Sequence, residues 1–72
     1  MRKRELRKKI NQRALTLGLH SVEKYEGAKH EKWICNGIVV WVPRHSEVSD
    51  GTAIGIMKDL EQVLGKDWWR ND

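Results

Sequence analysis

Leu6, Ile10, Ala14 and Leu17 recur at helical spacing and place one apolar stripe on a helix running from about Lys3 to Leu17, with Gly18 as its stop. From Leu19 to Glu26 the chain mixes Val22 and Tyr25 with polar residues, which predicts a first strand, and Gly27-Ala28-Lys29 a turn. His30–Cys35 and Ile38–Val42 flank Asn36-Gly37, the dipeptide preferred in two-residue type I′ hairpin turns, where both central residues take positive φ. Counting outward from that turn sets the register of hairpin 30–42. Cys35 faces Ile38, Trp33 faces Val40 and Glu31 faces Val42 on one side; Ile34 faces Val39, Lys32 faces Trp41 and His30 faces Pro43 on the other. The Trp33, Cys35, Ile38, Val40, Val42 side is the more uniformly apolar and is expected to pack on the helices, leaving His30, Lys32 and Trp41 together on the opposite side.

Pro43 ends the third strand, and Arg44–Gly51 reads as a polar loop. Ser49 or Asp50 is placed to cap a second helix from about Thr52 to Leu64, with Ala53, Ile56, Met57, Leu60, Val63 and Leu64 as its stripe and Gly65 as its end. The adjacent Trp68 and Trp69 are expected to fold back onto the body or to await a partner. The pattern predicts an α+β fold of order α-β-β-β-α: a three-stranded antiparallel sheet with two helices on one face.

Seventy-two residues are read as a single domain spanning 1–72, too short for paired βαβ units or stacked repeats. Hydrophobic residues at 39% and charged residues at 33% describe a globular chain rather than a disordered one. The longest apolar run, Ile38–Val42, is far below the roughly 18 residues of a membrane span. Residues 1–13 are mostly charged where a signal peptide would need its apolar region, so none is expected. The single cysteine, Cys35, fits a reducing, cytoplasmic setting and is expected to be a small buried hydrophobe.

Charge changes the picture through its placement. Seven of the fourteen basic residues (Arg2, Lys3, Arg4, Arg7, Lys8, Lys9 and Arg13) lie in the first thirteen positions, opposed there by Glu5 alone; that segment carries +6, and residues 14–72 carry −2. Such an arm is either a solvated helix face or a site for a polyanion, nucleic acid before anionic lipid. Cations at a helix N-terminus face the positive end of the helix dipole, which stability alone would not select. The membrane reading is the weaker one, because the thin apolar stripe is needed by the core.

Candidate chemistry is sparse. His20, His30, His45 and Cys35 show no metal-ligand spacing, the glycines form no phosphate-binding loop, and no serine occupies a nucleophile elbow, so neither metal nor cofactor is expected. Histidine remains, suited to proton transfer near neutral pH. RNA brings its own nucleophile, the 2′-hydroxyl, so cleavage requires a base, cations for the phosphate and a hold on the strand. His30 opens a strand beside Lys29 and Lys32, cations that would stabilise phosphate charge and favour a neutral imidazole, whereas Glu31 acts in the other direction.

The stretch Gly27-Ala28-Lys29-His30, the hairpin after it, and Val42-Pro43-Arg44-His45 followed by Glu47, Gly51-Thr52 and Ile56 resemble the HicA family of small toxins over nearly the whole chain. Gly65-Lys66-Asp67-Trp68-Trp69-Arg70 is similar to an ending within that family. The resemblance implies a double-stranded-RNA-binding-domain-like fold and a metal-independent endoribonuclease, an mRNA interferase of a type II toxin–antitoxin system, neutralised by a HicB-type antitoxin. The family's histidine lies in a Gly-Ser-His-like motif. His30 is the position that fits, although Ala28 and Lys29 intervene here and the serine is missing. On that reading His30 is the catalytic base or acid, with His45 or Lys29 as the second group. Lys29, Lys32 and Arg44 bind phosphate, Arg4, Arg7 and Lys8 add contacts from the helix, His45 adds to the RNA-binding set, and Trp41 stacks a base. The alternative is a non-catalytic RNA- or DNA-binding module using the same basic helix and sheet face.

Overall fold

A computed structural model describes residues 1–70 of the chain. The order of elements is α1 (Lys3–Thr16), β1 (Glu23–Glu26), β2 (His30–Cys35), β3 (Ile38–Pro43), α2 (Asp50–Asp59) and α3 (Glu61–Leu64). The strands form one antiparallel sheet in the order β1-β2-β3. The α-β-β-β-α architecture is therefore as the sequence pattern predicts, with a short third helix added. Asn36 and Gly37 have φ of 49° and 94°, the two positive values of a type I′ turn, and all six β2–β3 pairs follow the register counted outward from it.

One core lies between the inner face of the sheet and the helices. Leu6, Ile10 and Ala14 from α1, Trp33 and Cys35 from β2, Val40 and Val42 from β3, and Ala53, Ile56 and Met57 from α2 belong to a single buried cluster. Cys35 is fully buried, and burial pushes its thiol pKa up against the opposing pull of the Asn36 amide, which makes it a poor nucleophile. The terminal tryptophans close the cluster from below. Trp68 donates its indole N–H to the Met57 carbonyl at 2.9 Å and meets Trp69 edge to face at 6.0 Å. The Trp-Trp tail is thus part of the fold.

Three expectations are corrected, and one contact is added. Leu17 does not join the α1 stripe: it is the cap residue, 44% exposed, because the chain turns at Gly18 (φ +76°) and Leu19 packs on the core instead. The first strand is half its expected length. Residues 20–22 give their backbone groups to side chains rather than to a ladder: His20 N–H and C=O pair with the Asn36 amide at 3.0 and 2.9 Å, and Val22 N–H donates to Asn11 Oδ1 at 2.8 Å. The second helix begins at Asp50, two residues early, with the Ser49 hydroxyl accepting from Thr52 N–H at 3.3 Å, and it breaks at the buried Leu60 into α2 and α3. The basic start of α1 is not left facing its dipole alone. The chain's amino terminus lies 2.8 Å from Glu47 and donates to the Val48 carbonyl, holding loop 46–48 beside the helix start. The hydrogen bond from that ammonium lowers the Glu47 pKa.

Among the described residues no helix is long and apolar enough to cross a membrane.

Candidate nucleic-acid interface

The period-two alternation of β2 sends neighbouring residues to opposite sides of the sheet. Glu31 points inward and is 4% exposed, a buried charge that requires partners. It has two: the Lys3 ammonium, and the Trp33 indole N–H, which donates to Oε1 at 2.9 Å. Burial disfavours the carboxylate, but the Lys3 and Trp33 hydrogen bonds outweigh it and hold the pKa below the ordinary glutamate value. Lys3 also donates to the Arg44 carbonyl at 3.1 Å, so it ties α1 to the end of β3. Glu31 therefore lies across the sheet from His30, as the register predicts, and its charge is matched by Lys3 instead of acting on the imidazole.

His30 points outward and is exposed, and among the described residues nothing hydrogen-bonds to its imidazole. Its position is set by the β1–β2 turn. Gly27 N–H donates to the His30 carbonyl at 2.9 Å, and a Cβ on Gly27 would lie 2.8 Å from that oxygen, so only glycine fits. Arg44 completes the turn: its guanidinium donates to the Gly27 carbonyl at 2.9 Å and lies 4.0 Å from Glu26. Arg44, expected to bind phosphate, thus has a local partner and acts on the position of His30. Lys29 is exposed in the turn, and His45 is exposed in the loop after Arg44.

Lys32 and Trp41 are cross-strand neighbours on the outer face, and Trp41 is 61% exposed. The same row contains a residue that sequence reasoning missed. Tyr25 pairs with Lys32 from the other side, is 48% exposed, and has the Lys32 ammonium 5.3 Å from its ring centroid. Its hydroxyl donates to Glu23 Oε2 at 2.9 Å, an interaction that raises the phenol pKa and anchors the ring. Counting outward from the Gly27–His30 turn would have found it, since Glu26 then faces Glu31 and Tyr25 faces Lys32.

Arg4, Arg7 and Lys8 lie on the other side of the sheet. With Lys3, Lys24 and Trp33 they line an open groove of about 590 Å³ between α1 and the β1 edge, and among the described residues none of the three makes a side-chain hydrogen bond or salt bridge. Lys3 and Arg13, counted with the basic arm, instead hold the fold, Arg13 by donating to the Leu64 carbonyl at 2.9 Å. The expected site residues therefore fall into two groups on either side of β1: His30, Lys32 and Trp41 outside, Arg4, Arg7 and Lys8 inside. No group of three or more histidine, cysteine, aspartate or glutamate side chains converges as a metal site among the described residues.

Compared with known protein families, curated proteins and solved structures, the chain matches none.

Proposed function

We propose that this protein binds RNA on the outer face of its sheet and cleaves it with His30. The observation that carries the proposal is an imidazole in the open at the lysine-bearing end of a face that also presents Lys32, Trp41 and Tyr25. In the proposed step the His30 imidazole takes the proton of a ribose 2′-hydroxyl. That oxygen attacks the adjacent phosphorus, the P–O5′ bond breaks, and the departing 5′-oxygen takes a proton from the Lys29 ammonium or the His45 imidazolium. The products are a 2′,3′-cyclic phosphate and a 5′-hydroxyl. Lys29 balances the charge that builds on the phosphoryl oxygens, and Lys32 holds the backbone phosphate beside it. Arg44 positions the turn that carries His30, while Arg4, Arg7 and Lys8 attract phosphate from the helix side of β1 without reading sequence.

The resemblance of the Gly27–His30 and Val42–His45 segments to HicA toxins supports the same reading. It adds a setting: an mRNA-cleaving toxin of the cytoplasm, held inactive by a HicB-type antitoxin that covers His30. A second reading, a non-catalytic RNA- or DNA-binding module, draws support from an imidazole that no hydrogen bond orients among the described residues.

Incubation of purified protein with RNA and with its 2′-deoxy analogue, in the presence of a chelator, tests the proposal. Cleavage of RNA alone is expected, leaving cyclic phosphate ends, with a loss of at least about 100-fold in His30→Ala. Cutting of the deoxy strand, or full activity in His30→Ala, overturns it.

A further inference from the structure

The outer face of the sheet contains more than an exposed histidine. Tyr25, Lys32 and Trp41 form one straight row across all three strands, aromatic, cation, aromatic, with both rings about half exposed or more. Adjacent strands are about 4.8 Å apart, which sets the two rings roughly 10 Å apart with an ammonium between them. On one side of this row are Ile34 and Val39, with Glu23 at the β1 end. On the other are His30 and Pro43, with Lys29 in the turn beyond. The face thus grades from apolar and acidic to basic, and the basic end carries the imidazole.

We infer that this row is a two-base stacking platform specific for single-stranded RNA. The inference rests on the proposed function and assigns the substrate class and the residues that select it. Tyr25 and Trp41 each take the face of one base, and Lys32 takes the phosphate joining the two nucleotides. The Lys32 ammonium lies over the Tyr25 ring; an exposed cation–π contact is weak and is exchanged for a charge-assisted contact to phosphate. His30 lies two residues along β2 from Lys32, about 7 Å on the same face, so a phosphate next to the one on Lys32 can reach the imidazole. Glu23, at the opposite end, disfavours the reverse placement of the backbone. A duplex keeps its bases stacked on each other and offers these rings only its backbone, so the platform rejects it.

Fluorescence anisotropy with a labelled, uncleavable 2′-O-methyl single strand and with the matching duplex tests the inference. The single strand is expected to bind at least about ten-fold tighter than the duplex. Tyr25→Ala and Trp41→Ala are each expected to weaken it about ten-fold, and Tyr25→Phe and Trp41→Phe are expected to restore most of the loss. Lys32→Ala is expected to reduce the salt slope by about 0.7, one phosphate contact. Circular dichroism of each variant checks folding; Tyr25→Phe and Trp41→Phe carry the test if an alanine variant unfolds, since loss of binding in them despite an intact fold contradicts stacking. Equal affinity for duplex, or wild-type affinity in folded alanine variants, overturns the platform. So does a dimer in sedimentation velocity that Trp41→Ala dissolves without changing RNA affinity, which would make the face a contact between copies of the chain. Binding with these discriminations but without cleavage removes the catalytic proposal and leaves the platform; cleavage that both alanine variants retain at full affinity removes the platform and leaves catalysis.

Discussion

The two faces of β2 differ as sharply as one strand allows. Inward, Glu31, Trp33 and Cys35 are buried, and the one charge among them is held by Lys3 and the Trp33 indole. Outward, His30 is exposed and Lys32 and Ile34 are half-buried, with no hydrogen bond to the imidazole among the described residues. The inner face spends its side chains on stability and the outer face does not. The contrast shows why side chains on the outer face can serve a ligand: in a domain this small, with total stability near the low end of about 5–15 kcal/mol, a residue needed by the core is not free for another use.

The widest test of this contrast compares two tryptophans. Trp33→Ala empties a site that is 1% exposed and removes the donor to Glu31, a loss of about 3–5 kcal/mol that should leave the protein largely unfolded in a urea melt. Trp41→Ala on the opposite face should change stability by no more than about 0.5 kcal/mol. Similar losses at the two positions would break the comparison.

Lys3→Met is the next largest effect. It leaves the Glu31 carboxylate buried without its cation, at a cost of about 3 kcal/mol, or some 12–24 °C in melting temperature for a domain of this size. The pH dependence sharpens it. In the wild type the Glu31 pKa is lowered by folding, so the pair stabilises the protein above the ordinary glutamate range and that contribution is lost as pH falls through the lowered value. Without Lys3, burial favours the protonated acid, and the variant recovers part of its deficit on acidification. The gap between the two melting curves is therefore expected to narrow from pH 7 toward pH 4; a constant gap would mean that Lys3 acts by packing alone.

Much of this arrangement is legible in the sequence, and the reason is the Asn36-Gly37 turn. A two-residue turn fixes the register, and with a period of two the register fixes which residues share a face, so His30, Lys32 and Trp41 follow by counting. What escaped counting depended on contacts between distant segments. The partner of Glu31 lies 28 residues away, in a run of basic residues that gives no sign of which one turns inward. The shortening of β1 depends on Asn11 and Asn36 side chains taking the backbone groups of residues 20–22. The division of the basic residues between two sides of β1 is likewise set by how α1 packs, since periodicity assigns a residue to a helix face and not to a side of the sheet. Tyr25 was readable: the Gly27–His30 turn sets its register as surely as Asn36-Gly37 sets that of Trp41.

The most direct test of the account uses the indole N–H resonances of the tryptophans, because they probe both faces at once. Titration with a short 2′-O-methyl single-stranded oligonucleotide is predicted to move the Trp41 indole peak and to leave those of Trp33 and Trp68, which are hydrogen-bonded inside the fold, in place. A Trp41 peak that stays fixed at saturating oligonucleotide, whatever the others do, would contradict the assignment of RNA to the outer face.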